Sequence, residues 1–238
     1  MNHRLTNFET LDSTSTYIKN NYRTLSDGDV IIAAHQTNGR GRLGRSWEDD
    51  DGSLLFSFLL KGSKYEKYLN SITLICGAAM ELTFLDLKIP SKIKWPNDIY
   101  INDKKCVGIL TEGIVVTSLK ALVIGIGINI NNSKFPKNLS KASSLFLETK
   151  REYKKEVILA SFLTHFDRLL EEWGNNPSLV YKIIANNDYL LGKKISLNYY
   201  NENKNVTCLG IDETLALKVK DNEGNISLVT AGEATINK

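Results

Sequence analysis

The run ALVIGIGINI, residues 121–130, is the longest apolar stretch in the chain. A membrane-crossing helix needs about 20 apolar residues, so this run is about half the necessary length. Its β-branched residues predict a buried central strand, and Gly125 and Gly127 mark places where a ligand can come close. DVIIAAH, after Asp27-Gly28, and SLLFSFLL, after Asp51-Gly52, have the same character. So does KCVGILTEGIVV, which follows a hairpin-like turn at Asn102-Asp103. Helical patterns alternate with these strands. DSTSTYIKNNYRTL carries Ser13 or Thr14 as a cap. Glu66 to Leu87 has an apolar stripe through Leu69, Ile72, Ile75, Ala79 and Leu82, and Lys150 to Trp173 has one through Leu159, Phe162, Phe166, Leu169 and Trp173. A shorter helix is expected over Ser178 to Asn186. From Lys193 onward the pattern becomes short strands, KISLNYY, NVTCLGID, TLALKVK and ISLVTAGEATI, divided by Asn, Asp and Gly turns. The expectation is an α+β fold: a mixed sheet with helices over residues 1–190 and a small β-barrel over 191–238.

With 42% hydrophobic and 24% charged residues, the 238-residue chain has the balance of a soluble globular protein. A net charge of +3 is too mild to argue for nucleic acid by itself. Cys76, Cys106 and Cys208 are odd in number and far apart, which argues against a disulfide framework and a thiolate zinc site. His3, His35 and His165 are scattered, so no protein-held transition metal is expected. The N-terminus lacks an apolar signal core. These features predict a reducing, cytoplasmic compartment.

Residues 39–45 read GRGRLGR, with Gly39, Gly41 and Gly44 spaced as G-x-G-x-x-G. A dinucleotide loop needs a strand before it and a helix directly after it, whose N-terminus holds the pyrophosphate. Here the strand is present, but SLLFSF follows with no amphipathic helix, so the context fails. A solvated basic loop and a nucleic-acid patch remain open, although neither an aromatic platform nor a wider basic surface accompanies it. Glycines supply close backbone approach and amide donors, and Arg40, Arg42 and Arg45 supply forks for carboxylate or phosphate oxygens. Such a loop can close over an anionic ligand.

KWPND, residues 94–98, reads first as a tight turn, with Trp95 as core. Lys94 and Asp98 stand at the edges of a hairpin, where binding groups are commonly displayed. Lys105 starts the next strand; turned inward it becomes a cation aimed at a ligand, with Gly108 leaving room. His35 reads as a packed strand histidine, and alternation points Cys106 away from Lys105. Spacing identifies no Cys–His or Ser–His–Asp set. The inventory suits positioning and charge neutralisation, as nucleotidyl transfer requires.

GRGRLGRSW, KWPNDIYINDKKCVGILTE and GIGININ, in that order, with DSTSTY upstream and ASSL at 142–145 downstream, resemble the biotin protein ligases, or biotin–[acetyl-CoA-carboxylase] ligases. The resemblance runs from about residue 8 to the C-terminus. It implies a class II synthetase-like biotin–lipoyl ligase domain, followed by an SH3-like barrel marked by GID and AGE. It also implies two steps. The biotin carboxylate attacks the α-phosphate of ATP, giving biotinyl-5′-AMP and pyrophosphate; a carrier-domain lysine then takes the biotinyl group and AMP leaves.

Carried over by motif, Ser13, Thr14, Ser15 and Gln36 resemble the biotin ureido pocket. Arg40, Gly41 and Arg42 resemble the covering loop, with Arg42 and Lys105 as the catalytic cations. Gly39, Gly108, Gly125 and Gly127 resemble pocket glycines. Arg45, Trp47, Lys94, Asn97, Asp98 and Asn129 resemble the ATP side, Trp47 beside the adenine. Mg²⁺ would come with ATP rather than sit in a protein cage. The implied partner is a biotin carboxyl carrier domain. No membrane or DNA partner is implied, and the chain is expected as a monomer or weak homodimer. Two departures stand out. Ser15 replaces the asparagine of the usual STN motif. The motif begins at residue 13, which leaves no room ahead of it for the helix-turn-helix domain of repressor members, so no operator binding is expected. Lipoate–protein ligases and octanoyltransferases share the implied fold and stay open as rivals.

Overall fold

A computed structural model describes residues 1–48, 50–199 and 202–236 of the chain. Tyr200, which ends the expected strand KISLNYY, lies outside the described residues, as do Asn237 and Lys238 of the expected C-terminal barrel. The chain forms two compact units, Met1–Leu69 with Ile101–Ala160, and Asn70–Tyr100 with Ser161–Lys238.

In the first unit five strands lie side by side, β1 (Leu5–Leu11), β2 (Val30–Gln36), β3 (Ser53–Lys61), β7 (Leu119–Asn129) and β6 (Lys104–Val115), in that spatial order. The β1–β2 pair is parallel and the rest are antiparallel, which makes the sheet mixed. The two-residue turn before β6 is the expected one: Asn102 and Asp103 take φ of 48° and 64°, the left-handed pair that a tight hairpin requires. Helix α1 (Thr14–Asn21) starts at a Ser13 cap, whose hydroxyl accepts from the Thr16 amide. It lays Ile18 on Ile31, Leu59, Ala121 and Val123, the core of this unit.

The second unit holds α2 (Ile72–Asp86), the hairpin of β4 (Lys92–Lys94) and β5 (Asp98–Ile101), and α5 (Ser178–Asn186). It also holds five antiparallel strands, in the order β11 (Ile226–Val229), β10 (Leu217–Lys220), β9 (Glu202–Ile211), β8 (Lys194–Tyr199) and β12 (Glu233–Ile236). Helix α5 has the expected bounds. Helix α2 starts later than the expected Glu66, because Ser63–Tyr68 winds as a 3₁₀ turn that buries Tyr65 and Tyr68. It is also buried on nearly every side, not along one stripe, as its content of Ile, Ala, Cys, Met and Phe demands. The helix expected from Lys150 divides into α3 (Leu145–Thr149) and α4 (Lys155–Asn175), with Lys150 left-handed (φ 61°) at the break. Helix α4 buries Leu159, Phe162, Phe166 and Leu169, as its periodicity predicts. No helix among the described residues is long and apolar enough to cross a membrane.

Candidate active site

The α1-covered face of the sheet changes character in steps of two residues, each about 7 Å of strand. Its first row pairs Leu59 with Val123 and belongs to the apolar core. The next pairs Ser57 with Gly125, and the one after pairs Leu55 with Gly127, which in turn pairs with Gly108 on β6. Core side chains thus give way to a hydroxyl and then to glycines along one continuous surface.

The N-terminus of α1 brings Thr14 and Ser15 onto the hydroxyl row. The Thr14 hydroxyl lies 2.7 Å from Ser57 Oγ, and Ser15 Oγ lies 2.9 Å from it. Gln36, at the end of β2, accepts from the Thr14 amide at 2.8 Å and from its hydroxyl at 3.1 Å. Ser13 serves as the helix cap, and its own amide donates to Asp12 Oδ1 at 2.6 Å. Ser57 was not singled out by the sequence; its only signal is a hydroxyl flanked by Phe56 and Phe58 within SLLFSFLL.

The glycine row is filled. A Cβ on Gly127 would stand 2.4 Å from Trp47 Cε2, and one on Gly108 would stand 2.6 Å from Trp47 Cζ3. The room these glycines leave is therefore taken by the Trp47 indole, whose Nε1 is buried and makes no hydrogen bond. Lys105 completes the group. Its Nζ stands 5.4 Å from the indole centroid and 3.3 Å from the Gly108 Cβ position. Segment 141–143 grips the Lys105 backbone from both sides, through Lys105 N to Lys141 O at 2.7 Å and Ser143 N to Lys105 O at 2.9 Å. Asn129 donates its amide to Ser143 O at 2.9 Å, while its buried Oδ1 makes no hydrogen bond. Asn132, which no sequence motif marks, ties Asp50 to Ser53 through its side-chain amide.

GRGRLGR forms a small hairpin rather than a dinucleotide turn. Gly41 N donates to Arg45 O at 2.7 Å, Trp47 N donates to Gly39 O at 2.9 Å, and Arg40 bridges Ser46. A 3₁₀ turn, Arg42–Gly44, makes the tip, with Leu43 exposed and left-handed (φ 56°). Strand β3 follows, so no helix N-terminus is available for a pyrophosphate. Gly39 is fixed by packing, since a Cβ there would meet Trp47 O at 2.4 Å.

Lys94, Asn97 and Asp98 belong to the second unit. Lys94 and Asp98 face each other across the β4–β5 hairpin, Asn97 N donates to Lys94 O at 3.2 Å, and Lys94 Nζ lies 5.7 Å from the Tyr100 ring centroid. Trp95 is core, and its bond to Pro96 is cis.

His35 is not the packed histidine expected. Its imidazole is half-exposed and Nε2 lies 3.1 Å from Asp51 Oδ1. Cys106 is fully buried, and burial pushes its thiol up to about 12, so it offers no thiolate near neutral pH. Among the described residues no group of three or more His, Cys, Asp or Glu side chains could hold a metal ion.

A hydroxyl–amide group, a glycine row under an indole and a fixed lysine thus stand together on one sheet face. Residues 7–129 match the family model described as the biotin/lipoate A/B protein ligase family, and the chain belongs to that family. Within it, relatives and solved structures similar to this chain include biotin protein ligases. The biotin protein ligase from Aquifex aeolicus, in complex with biotin and ATP, superposes with a TM-score of 0.88 at 28% identity over 98% of both chains. The bifunctional ligase/repressor BirA of Bacillus subtilis is 31% identical over 208 residues, which take in 83% of this chain and 63% of that protein. Biotin–protein ligase 1, chloroplastic, of Arabidopsis thaliana is 28% identical over 168 residues, 68% of this chain and 46% of that protein. The chain therefore spans less than two thirds of the length of these curated relatives.

Proposed function

We propose that this protein is an ATP-dependent biotin–protein ligase. A biotin carboxylate oxygen bonds to the α-phosphorus of ATP, the bond to the β-phosphate bridge breaks, and pyrophosphate leaves. The ε-amine of a lysine on a biotin carboxyl carrier domain, as in acetyl-CoA carboxylase, then attacks the acyl carbon, loses a proton and expels AMP. The observation that carries this reading is the single sheet face on which the Thr14–Gln36 hydroxyl–amide group, the Gly108–Gly127 row and Lys105 stand in sequence. A polar head group suits the first, a flat or extended chain the second, and an anion the third.

The chemistry brings two anions together, so fixed cations must offset their repulsion. Lys105, with its backbone clamped, suits the carboxylate and α-phosphate. Arg40, Arg42 and Arg45 suit a hairpin that shields the mixed anhydride from water. Trp47 suits a base-stacking surface once it leaves the glycine row. For Lys94, Asn97 and Asp98 the phosphate-side role rests on the motif match alone. Mg²⁺ takes oxygen ligands and keeps much of its water, so it would travel mainly on ATP oxygens and neutralise phosphate charge there. The buried Asn129 Oδ1 is an oxygen of the type it accepts. We also take residues 1–190 as the biotin- and ATP-binding portion and 191–238 as the appended barrel, in a cytoplasmic monomer or weak dimer. Three buried free cysteines support a reducing compartment.

The test is pyrophosphate release with ATP, Mg²⁺ and either biotin, lipoate or octanoate. Release with biotin is expected. Release with lipoate or octanoate alone would assign the protein to the other branch of the family.

A further inference from the structure

The hydroxyl row has a direction. Gln36 Oε1 receives the Thr14 backbone N–H at 2.8 Å. A backbone N–H only donates, so the Gln36 atom facing it must be oxygen, which settles which way round the amide stands. The Thr14 hydroxyl gives its one proton to the same oxygen at 3.1 Å. In the 2.7 Å contact between Thr14 and Ser57, the donor must therefore be Ser57. The Ser57 proton is then spent, so Ser15 donates in the 2.9 Å contact between the two serines. One backbone amide thus orients every proton from Ser15 through Ser57 and Thr14 to Gln36. The three hydroxyl residues are 4%, 0% and 3% exposed in the order Ser15, Ser57, Thr14, so water does not easily reset them. Each hydroxyl has two lone pairs and one proton, so the three hydroxyls have spent their donors and keep spare acceptors, while the Gln36 Nε2 donors lie towards Gly39, not Gly125. Ser15 Oγ also stands 2.5 Å from where a Gly125 Cβ would be, so this hydroxyl and this glycine fit only together.

We propose that Ser57 is a positioning residue for substrate choice. It sets the row so that the wall beside Gly125 accepts hydrogen bonds and donates none, which favours an acyl substrate whose head group carries N–H donors. A cyclic urea brings such donors; a dithiolane or a plain hydrocarbon chain brings none and leaves buried acceptors unmet. The inference rests on the biotin-ligase reading and gives a physical account of Ser15. An asparagine there would return two N–H donors to a wall that otherwise only accepts.

The test is titration calorimetry on the full chain, wild type and Ser57→Ala, with ATP, with biotin and with two biotin analogues that carry CH₂ in place of one or the other ureido N–H. Ser57→Ala is expected to weaken biotin about five- to twentyfold, the range of one misdirected buried hydrogen bond, and to leave ATP within about twofold. At least one CH₂ analogue should bind wild type about tenfold more weakly than biotin, and that penalty should shrink in Ser57→Ala, where the Ser15 proton is released. Three results overturn the proposal: unchanged biotin affinity in Ser57→Ala, equal weakening of biotin and ATP, or wild type binding both CH₂ analogues as tightly as biotin. The last needs no variant, so it decides the matter even if Ser57→Ala does not fold. Should wild type bind lipoate and not biotin, the ligase reading fails and takes this inference with it. If wild type binds biotin and Ser57→Ala matches it throughout, only the role of Ser57 falls.

Discussion

Trp47 shows how a single residue can hold a place that a ligand would need. Its indole lies against two glycines whose missing Cβ atoms would stand 2.4 and 2.6 Å from it, and its Nε1 is buried without a hydrogen bond. An orphaned buried donor costs about 1–3 kcal/mol, so the contact is tight in shape but easily given up in energy. Gly127→Ala should force the ring out and lower stability by about 1–3 kcal/mol, the usual cost of overpacking. The same change made on a Trp47→Ala background should cost far less. Urea denaturation of the four proteins measures this, and equal costs in both backgrounds would mean that the indole is not what Gly127 accommodates. Lys105 is the other residue with a sharp expectation. Its backbone is fixed by segment 141–143, so Lys105→Ala removes an ammonium without loosening the strand. Single-turnover pyrophosphate release should fall by at least about a hundredfold, the scale of one lost preorganised charge, with thermal stability nearly unchanged. Near-normal release would take Lys105 out of the mechanism.

At the level of elements, α2 carries a charge that its surroundings disfavour. Glu81 is buried in this helix and accepts a short hydrogen bond from the Ser91 hydroxyl. Burial raises its carboxyl from 4.5 to about 7, against the opposing pull of Ser91 and Lys92. The folded state therefore holds this proton more tightly than the unfolded chain does. This contribution favours folding most below about 4.5, falls as pH rises towards about 7, and levels off above that. The whole fall is on the order of 2–3 kcal/mol. Glu81→Gln should remove that part of the slope and be more stable than wild type at pH 8, as read from urea midpoints between pH 5 and 8; parallel profiles would acquit Glu81. The sequence pattern made some of these elements plain and hid others. The Asn102-Asp103 turn and α5 could be read because local chemistry decides them, through left-handed φ in one and an apolar stripe between Pro177 and an Asn pair in the other. Strand β1 could not, because it lies at the sheet edge and its half-buried positions show no apolar alternation. Ser57 stayed hidden for the opposite reason. Every residue of β3 but the last is buried, so nothing in the pattern distinguishes a hydroxyl that builds a site from one that merely fits.

For the molecule as a whole, charge and ligand linkage separate the remaining readings. A net charge of +3 on 238 residues, with the arginines of residues 40–45 confined to one hairpin, gives few phosphate contacts to neutralise a duplex. Retention on DNA or RNA should be weak at 50 mM salt and absent at 200 mM; tight, steeply salt-dependent binding would revive the nucleic-acid alternative. Ligands that bind only the folded chain stabilise it by RT ln(1 + [L]/Kd), about 2.7 kcal/mol at a hundredfold excess over Kd. At this chain length that corresponds to a rise in Tm of roughly 5–10 °C. Biotin with ATP and Mg²⁺ should raise Tm beyond either biotin or ATP·Mg²⁺ alone, because the adenylate joins both binding regions in one molecule and is bound with the sum of their contacts. Lipoate with ATP and Mg²⁺ should give no more than ATP·Mg²⁺ does. Differential scanning calorimetry at matched ligand concentrations reads both comparisons. If biotin and ATP together give no more than the larger of the two separate shifts, no tightly held adenylate accumulates, and the proposed first step of the reaction does not occur on this chain.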